Sequence, residues 1–320
     1  MRQPKNIKNN KAIIVAISGA SSSGKTTLAR LLRDVFPGTF ILHEDDFYRP
    51  EEEIPSKDGL LDWDCEGALN FDEMARALEY IRAEGTFPPF VDSKEDQNSV
   101  GACTVSDRVI EAARERVRAW SSASPLSIST STSSTSTTTA SSSNTQARTA
   151  DEKRERVKIC ILDGFLLFTP TTSPTSSPTT STILQRINTS LLDIKLLLTV
   201  SRLKATSRRQ NRDGYVTLEG FWTDPPGYVD TIVWPNYASS HAWLFEKGDV
   251  NRGMLDKDVL EREGICAFPG VLGGGGEGEQ KGKEGEGEQR LDVDMETIFN
   301  WAVDTLMQKL DEVVIAARNS

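Results

Sequence analysis

Gly19-Ala20-Ser21-Ser22-Ser23-Gly24-Lys25-Thr26 sets two glycines, a lysine and a hydroxyl at the spacing of a phosphate-binding turn, Gly-x4-Gly-Lys-Ser/Thr. Glycine at both borders lets the backbone wrap with its N–H groups inward, so that the turn and the following helix start offer partial positive charge to a polyphosphate. Lys25 then reaches the outer phosphates and Thr26 offers its hydroxyl to Mg²⁺. Gly19, Ser21, Ser22, Ser23, Gly24 and Thr27 are the other residues expected around the phosphates. A Ser/Gly-rich turn that fits by chance is the competing reading, and the flanking strand and helix patterns weigh against it.

Three further groups could do chemistry. Asp45 and Asp46 follow the short apolar run Phe40 to His43. A carboxylate at that strand end can take the proton of an acceptor hydroxyl, and Asp45 is favoured because its strand should adjoin the phosphate loop. Asp163 follows the apolar run Val157 to Leu162 and has the position of a Walker-B carboxylate, which holds Mg²⁺, usually through water. The alternatives are a solvated acidic turn for Asp45 and a plain Asp-Gly turn for Asp163. Arg202, Lys204, Arg208, Arg209 and Arg212 crowd one stretch ending at Asp213-Gly214. Such a segment suits a mobile lid that closes on phosphates, against the alternative of a solvated basic helix face.

The elements that must hold these residues are legible from periodicity. Ala12 to Ser18 is continuous, apolar and rich in β-branched residues, as a strand buried on both faces requires. Leu28, Leu31, Leu32 and Val35 then mark one helical face. Ile194 to Val200 predicts another strand, Ile265 to Phe268 a fifth, and Phe71 to Ile81 a helix capped by Asn70. Val105 to Trp120 and Ile298 to Val314 are two more helical patterns. Alternating strands and helices give an α/β chain with a P-loop NTPase fold: a doubly wound parallel sheet of about five strands, flanked by helices, with a mobile lid. A polar leader is expected over 1–11 and a single α/β domain carrying the phosphate loop over 12–320. Low-complexity insertions rich in Ser/Thr or Gly/Glu lie at about 121–150, 169–182 and 273–290, and such composition predicts disorder.

A net charge of −10 argues against nucleic acid or an anionic membrane as partner. No stretch of about eighteen apolar residues occurs. Cys65, Cys103, Cys160 and Cys266 are scattered and read as reduced thiols of an intracellular protein. A cytoplasmic enzyme, or one shared with the nucleus, acting as a monomer or weak homo-oligomer on a small molecule is expected.

Gly19 to Thr27, Glu44-Asp45-Asp46-Phe47-Tyr48-Arg49-Pro50, Trp63-Asp64 and Asp163 to Phe168 together resemble the nicotinamide riboside kinases, of the uridine-kinase-like branch of P-loop kinases. Asp224-Pro225-Pro226-Gly227-Tyr228-Val229-Asp230 and Trp234-Pro235-Asn236-Tyr237 add to the resemblance, which covers most of the chain outside the low-complexity tracts. It implies transfer from ATP, or GTP, with Mg²⁺, to the 5′-hydroxyl of nicotinamide riboside, giving the mononucleotide for NAD synthesis. Nicotinic acid riboside is implied as a second substrate. By position, Asp45 would meet the 5′-hydroxyl, Asp64 would hold the ribose diol, Trp63 would stack on the base, Arg209 and Arg212 would serve the lid, and Asp224 would lie close to the ribose. Tyr48 is counted with the substrate residues. Tyr215, Phe221 and Trp222 compete for the second aromatic face, because extra residues separate Arg212 from Asp224. Where this chain has Asp163 the family usually has Glu, one methylene longer. A pyridinium over an indole gains about 0.5–2 kcal/mol, which suits Trp63 to a nicotinamide ring better than to uracil. The rival readings are a uridine/cytidine-type kinase and a non-catalytic nucleotide-binding regulatory protein.

Overall fold

The first strand, β1 (Ala12–Gly19), is buried along its whole length. In the computed structural model, which describes residues 10–94, 103–123, 157–170, 178–212, 214–217, 220–251, 254–272 and 290–319, it is the middle of a five-stranded sheet. β2 (Thr39–His43) and β5 (Lys158–Gly164) lie on one side, and β6 (Ile194–Leu198) and β9 (Ile265–Ala267) on the other, in the order β2-β5-β1-β6-β9. Every neighbouring pair is parallel. The register sets Ile17, Asp163 and His43 in one row at the carboxyl edge, where parallel α/β sheets bind ligands.

Alternation along β1 divides the core in two. Ile13, Val15 and Ile17 face α1 (Lys25–Val35), α3 (Asp107–Ala123) and the C-terminal α8 (Met295–Asn319) through Leu28, Leu32, Val117, Phe299 and Leu306. Ile14 and Ala16 belong to the other core, with Met74, Leu78 and Ile81 of α2 (Phe71–Glu84) and Trp234 and Tyr237 of α6 (Trp234–His241). Asn70 caps α2 by accepting from the Glu73 N–H. The basic stretch forms α5 (Arg202–Gln210), capped by Ser201.

Three expectations change. The strand that leads to Asp45, β2, does not adjoin the phosphate-loop strand, because β5 lies between β2 and β1. The insertion expected over 169–182 ends early, because α4 (Pro178–Arg186) begins inside it. Proline suits a first helical turn, and Leu184 and Ile187 just downstream are fully buried in the α2 core, which holds the segment in place. The first tract likewise starts later, since α3 runs on to Ala123. Most of the expected leader and of the first and third tracts, and residues 171–177 of the second, lie outside the described residues, as does Asp213. Periodicity gave no sign of two short hairpins, β3 (Ser56–Lys57) with β4 (Leu60–Leu61) and β7 (Tyr215–Thr217) with β8 (Gly220–Trp222). No helix among the described residues is long and apolar enough to cross a membrane. A short helix, α7 (Lys257–Glu263), leads into β9.

Candidate active site

One cleft of about 230 Å³ opens at the carboxyl edge of the sheet, lined at one end by Ser21, Ser22, Gly24, Lys25, Thr26 and Thr27. The loop geometry follows from its glycines. Gly19 has φ +151°, and a Cβ there would sit 2.2 Å from the Leu198 carbonyl oxygen of the neighbouring strand, so only glycine lets the turn leave β1 so closely. Gly24 occupies the N-cap of α1 at φ 100° and brings no side chain to the first-turn N–H groups. Ser23 is turned to the other side of the loop, beside Leu198, Lys204 and Met295. The Ser22 hydroxyl, on the cleft side, is buried and makes no hydrogen bond among the described residues, which fits a loop shaped for an anion.

Lys25 Nζ donates to the Ala20 carbonyl at 3.0 Å. Burial lowers its pKa, against the pull of Asp163, Asp45 and Glu44. Thr26 Oγ1 donates to Asp163 Oδ2 at 2.5 Å, so the hydroxyl and the carboxylate meet directly. Burial by itself would raise the Asp163 carboxyl, but His43, Lys25 and Thr26 outweigh it and hold it below its ordinary range. An ionised carboxylate and a hydroxyl beside a phosphate loop are hard oxygen donors of the kind Mg²⁺ takes alongside phosphate and water.

The acidic segment is a 3₁₀ turn, Glu44–Phe47. Asp46 turns back and accepts from the His43 N–H at 3.2 Å, while the exposed Asp45 lines the cleft. Glu44, which sequence reasoning passed over, is fully buried. Its Oε2 accepts from the Phe165 N–H (2.6 Å) and the Leu166 N–H (3.0 Å), tying the turn that carries Asp45 to the strand end that carries Asp163. Burial pushes its carboxyl up to about 8, despite both backbone donors. A Cβ at Gly164 would lie 2.6 Å from Glu44 Oε2, so the Asp163-Gly164 pair reflects close packing of this carboxyl rather than a turn. Glycine after a strand-end Asp was the available signal.

Asp64 sits across the cleft, buried, with its carboxyl raised first by burial and then by Asp224 and Asp62, against the lowering effect of Arg209. Arg209, on α5, joins three segments. Its Nε and Nη2 donate to both oxygens of Asp224 at 2.6 and 3.0 Å, its Nη1 donates to Ser21 Oγ at 2.8 Å, and Nη1 and Nη2 reach Asp64 at 3.4 and 3.5 Å. Arg208 Nη1 donates to the Ser22 carbonyl at 3.1 Å, and Arg212 lines the cleft. The basic helix therefore rests on the phosphate loop.

The far end is aromatic. Tyr48 meets Trp63 edge to face at 5.4 Å, and Trp63 lies 5.7 Å from Trp222 at 58°. Of the three competing aromatics, Trp222 lines the cleft and its Nε1 donates to Asp224 at 3.1 Å, whereas Phe221 is 65% exposed. Tyr215 pairs with Trp222 through the backbone of the β7–β8 hairpin, and its side chain lies outside the described residues.

A phosphate loop on a five-stranded parallel sheet, with acidic and aromatic groups facing it across one cleft, defines a P-loop kinase. Residues 12–122 match the family described as chloramphenicol phosphotransferase-like protein. The chain is 34% identical over 252 residues to a nicotinamide riboside kinase of Schizosaccharomyces pombe, covering 78% of this chain and 87% of that protein. It is 30% identical over 250 residues to the nicotinamide riboside kinase of Saccharomyces cerevisiae, covering 78% and 85%. It is also 44% identical to human nicotinamide riboside kinase 1 over 69 residues, 21% of this chain and 35% of that one. The chain belongs to the nicotinamide riboside kinase family.

Proposed function

We propose that this kinase transfers the γ-phosphoryl group of ATP to the 5′-hydroxyl of nicotinamide riboside, yielding nicotinamide mononucleotide for NAD synthesis. The observation that carries this reading is the placement of Lys25, Asp45, Trp63 and Asp64 on the walls of one cleft. Asp45 takes the 5′-hydroxyl proton as the 5′ oxygen bonds to the γ-phosphorus and the bond to the β,γ-bridging oxygen breaks. Lys25 and the loop N–H groups hold the phosphates, and Arg209 and Arg212 offset charge as the group moves. Thr26 and Asp163 would hold Mg²⁺, which when bound neutralises charge on the β- and γ-phosphates. Asp64, with Arg209 and Asp224 beside it, takes the ribose diol.

The nicotinamide ring enters between Trp63 and Trp222. Their centroids are 5.7 Å apart, closer than the spacing of about 7 Å that an intervening flat ring needs at carbon contact distance, so binding spreads the two indoles. Nicotinic acid riboside shares the pyridinium and the ribose and is proposed as a second acceptor. A 5′-deoxy analogue of nicotinamide riboside tests the assignment of the hydroxyl. The parent riboside should give a 5′-phosphate by ³¹P NMR and the analogue none; a phosphorylated analogue would move the acceptor to the diol.

A further inference from the structure

Two segments with specific motifs, Pro225 to Asp230 and Trp234 to Tyr237, carry residues that do not line the cleft, and the loop Asp62-Trp63-Asp64 depends on both. The Trp63 N–H donates to the Tyr228 hydroxyl at 3.1 Å, and the same phenol bonds the Asp64 carboxylate. Asn236 does more for the loop than Tyr228. Its Nδ2 donates to Asp62 Oδ1 and Oδ2 at 2.8 and 2.9 Å and to the Asp64 carbonyl at 3.2 Å. Asp62 Oδ1 in turn accepts from the Asp64 N–H at 3.2 Å. Lys57, on the β3–β4 hairpin, donates to Asn236 Oδ1 at 2.7 Å and so fixes which end of the amide points at Asp62. Asp62 is only 6% exposed, and a carboxylate so placed needs these donors.

We infer that Asn236 is a positioning residue for the riboside: through Asp62 it clamps both backbone groups of Asp64 and so aims the Asp64 carboxylate and the Trp63 indole into the cleft. The amide touches Asp64 at its carbonyl and, through Asp62, at its N–H. It therefore fixes the backbone from which the carboxylate projects, and it lies off the phosphate end altogether. Loss of the clamp acts on riboside binding and spares the nucleotide. This inference rests on the riboside reading above.

Asn236→Ala removes the donor without adding charge. Loss of two to three hydrogen bonds should raise the riboside KM roughly tenfold or more, with the ATP KM within about twofold. Asn236→Asp combined with Asp62→Asn reverses the pair. The new carboxylate accepts from Lys57 and from the new amide, and the amide oxygen still accepts from the Asp64 N–H, but nothing now donates to the Asp64 carbonyl, so the riboside KM should recover in part, to a value between those of the alanine variant and the parent. The inference is overturned if Asn236→Ala leaves the riboside KM unchanged, if the riboside and ATP constants rise together, or if the reversed pair is as impaired as the alanine variant while melting like the parent. Crystal structures of the parent and Asn236→Ala proteins separate this inference from the riboside reading. A displaced Asp64 in the variant supports the clamp whichever riboside is the substrate, an unmoved one contradicts it, and failure of the parent to phosphorylate nicotinamide riboside counts against the riboside reading alone.

Discussion

Arg209 and Asp224 form a two-bond pair, Nε to Oδ2 at 2.6 Å and Nη2 to Oδ1 at 3.0 Å, that ties the basic helix to the segment before Tyr228. The same guanidinium touches Ser21 of the phosphate loop and Asp64 across the cleft. A planar fork with five donors is what lets one side chain serve three segments, and lysine cannot reproduce it. Arg209→Lys should therefore lower kcat and raise the riboside KM together, by roughly tenfold or more in kcat/KM. Steady-state kinetics with each substrate varied checks this; a change confined to the ATP KM would reduce Arg209 to a phosphate ligand.

Asp45 is expected to act on the acceptor proton and not on nucleotide binding. Asp45→Asn should cut kcat by about 10²–10⁴-fold with ATP affinity little changed. Turnover by quenched flow and ATP affinity by calorimetry read the two separately, and near-parental turnover would remove Asp45 from proton transfer.

Much of this arrangement is legible in the sequence, and the missing part has a physical cause. β1, the phosphate loop and α1 are contiguous, so periodicity and glycine spacing carry them. Asp45 and Asp163 follow from strand ends, because a parallel sheet delivers every carboxyl end to one edge. Asn236 and Asp62 are 174 residues apart, and no local pattern marks a hydrogen bond between them. Glu44 was hidden for another reason: an acidic triplet reads as solvated surface, and only the packing of Gly164 shows that its first member points inward. The β7–β8 hairpin carries Tyr215, Phe221 and Trp222 close together between Arg212 and Asp224, which left Trp222 level with its neighbours until the fold placed it in the cleft.

The buried Glu44 makes stability depend on pH. Its folded pKa, about 8, lies above the ordinary 4.5, so between those values the native state holds a proton that the unfolded state has released. Stability from this group is therefore full below about pH 4.5 and falls as pH rises toward about 8. Glu44→Gln, which keeps an oxygen acceptor for Phe165 and Leu166, should flatten that fall. Thermal melts at about pH 5 and about pH 8 should show the variant gaining on the parent at the higher pH; parallel curves would mean that Glu44 is ionised in the fold.

Trp63→Ala should raise the riboside KM by about 2- to 30-fold, the equivalent of 0.5–2 kcal/mol of cation–π attraction, and leave the ATP KM unchanged. The loss should be larger for cationic nicotinamide riboside than for a neutral riboside of similar size, measured side by side. Equal losses would make Trp63 a packing residue without preference for charge.

The central claim is that this cleft selects a pyridinium riboside as phosphoryl acceptor. The direct measurement is kcat/KM of the purified protein for nicotinamide riboside and for uridine, at one ATP concentration and in the same buffer. The account predicts that nicotinamide riboside is favoured by at least about tenfold, as the cation–π attraction alone allows; equal or faster phosphorylation of uridine would contradict it.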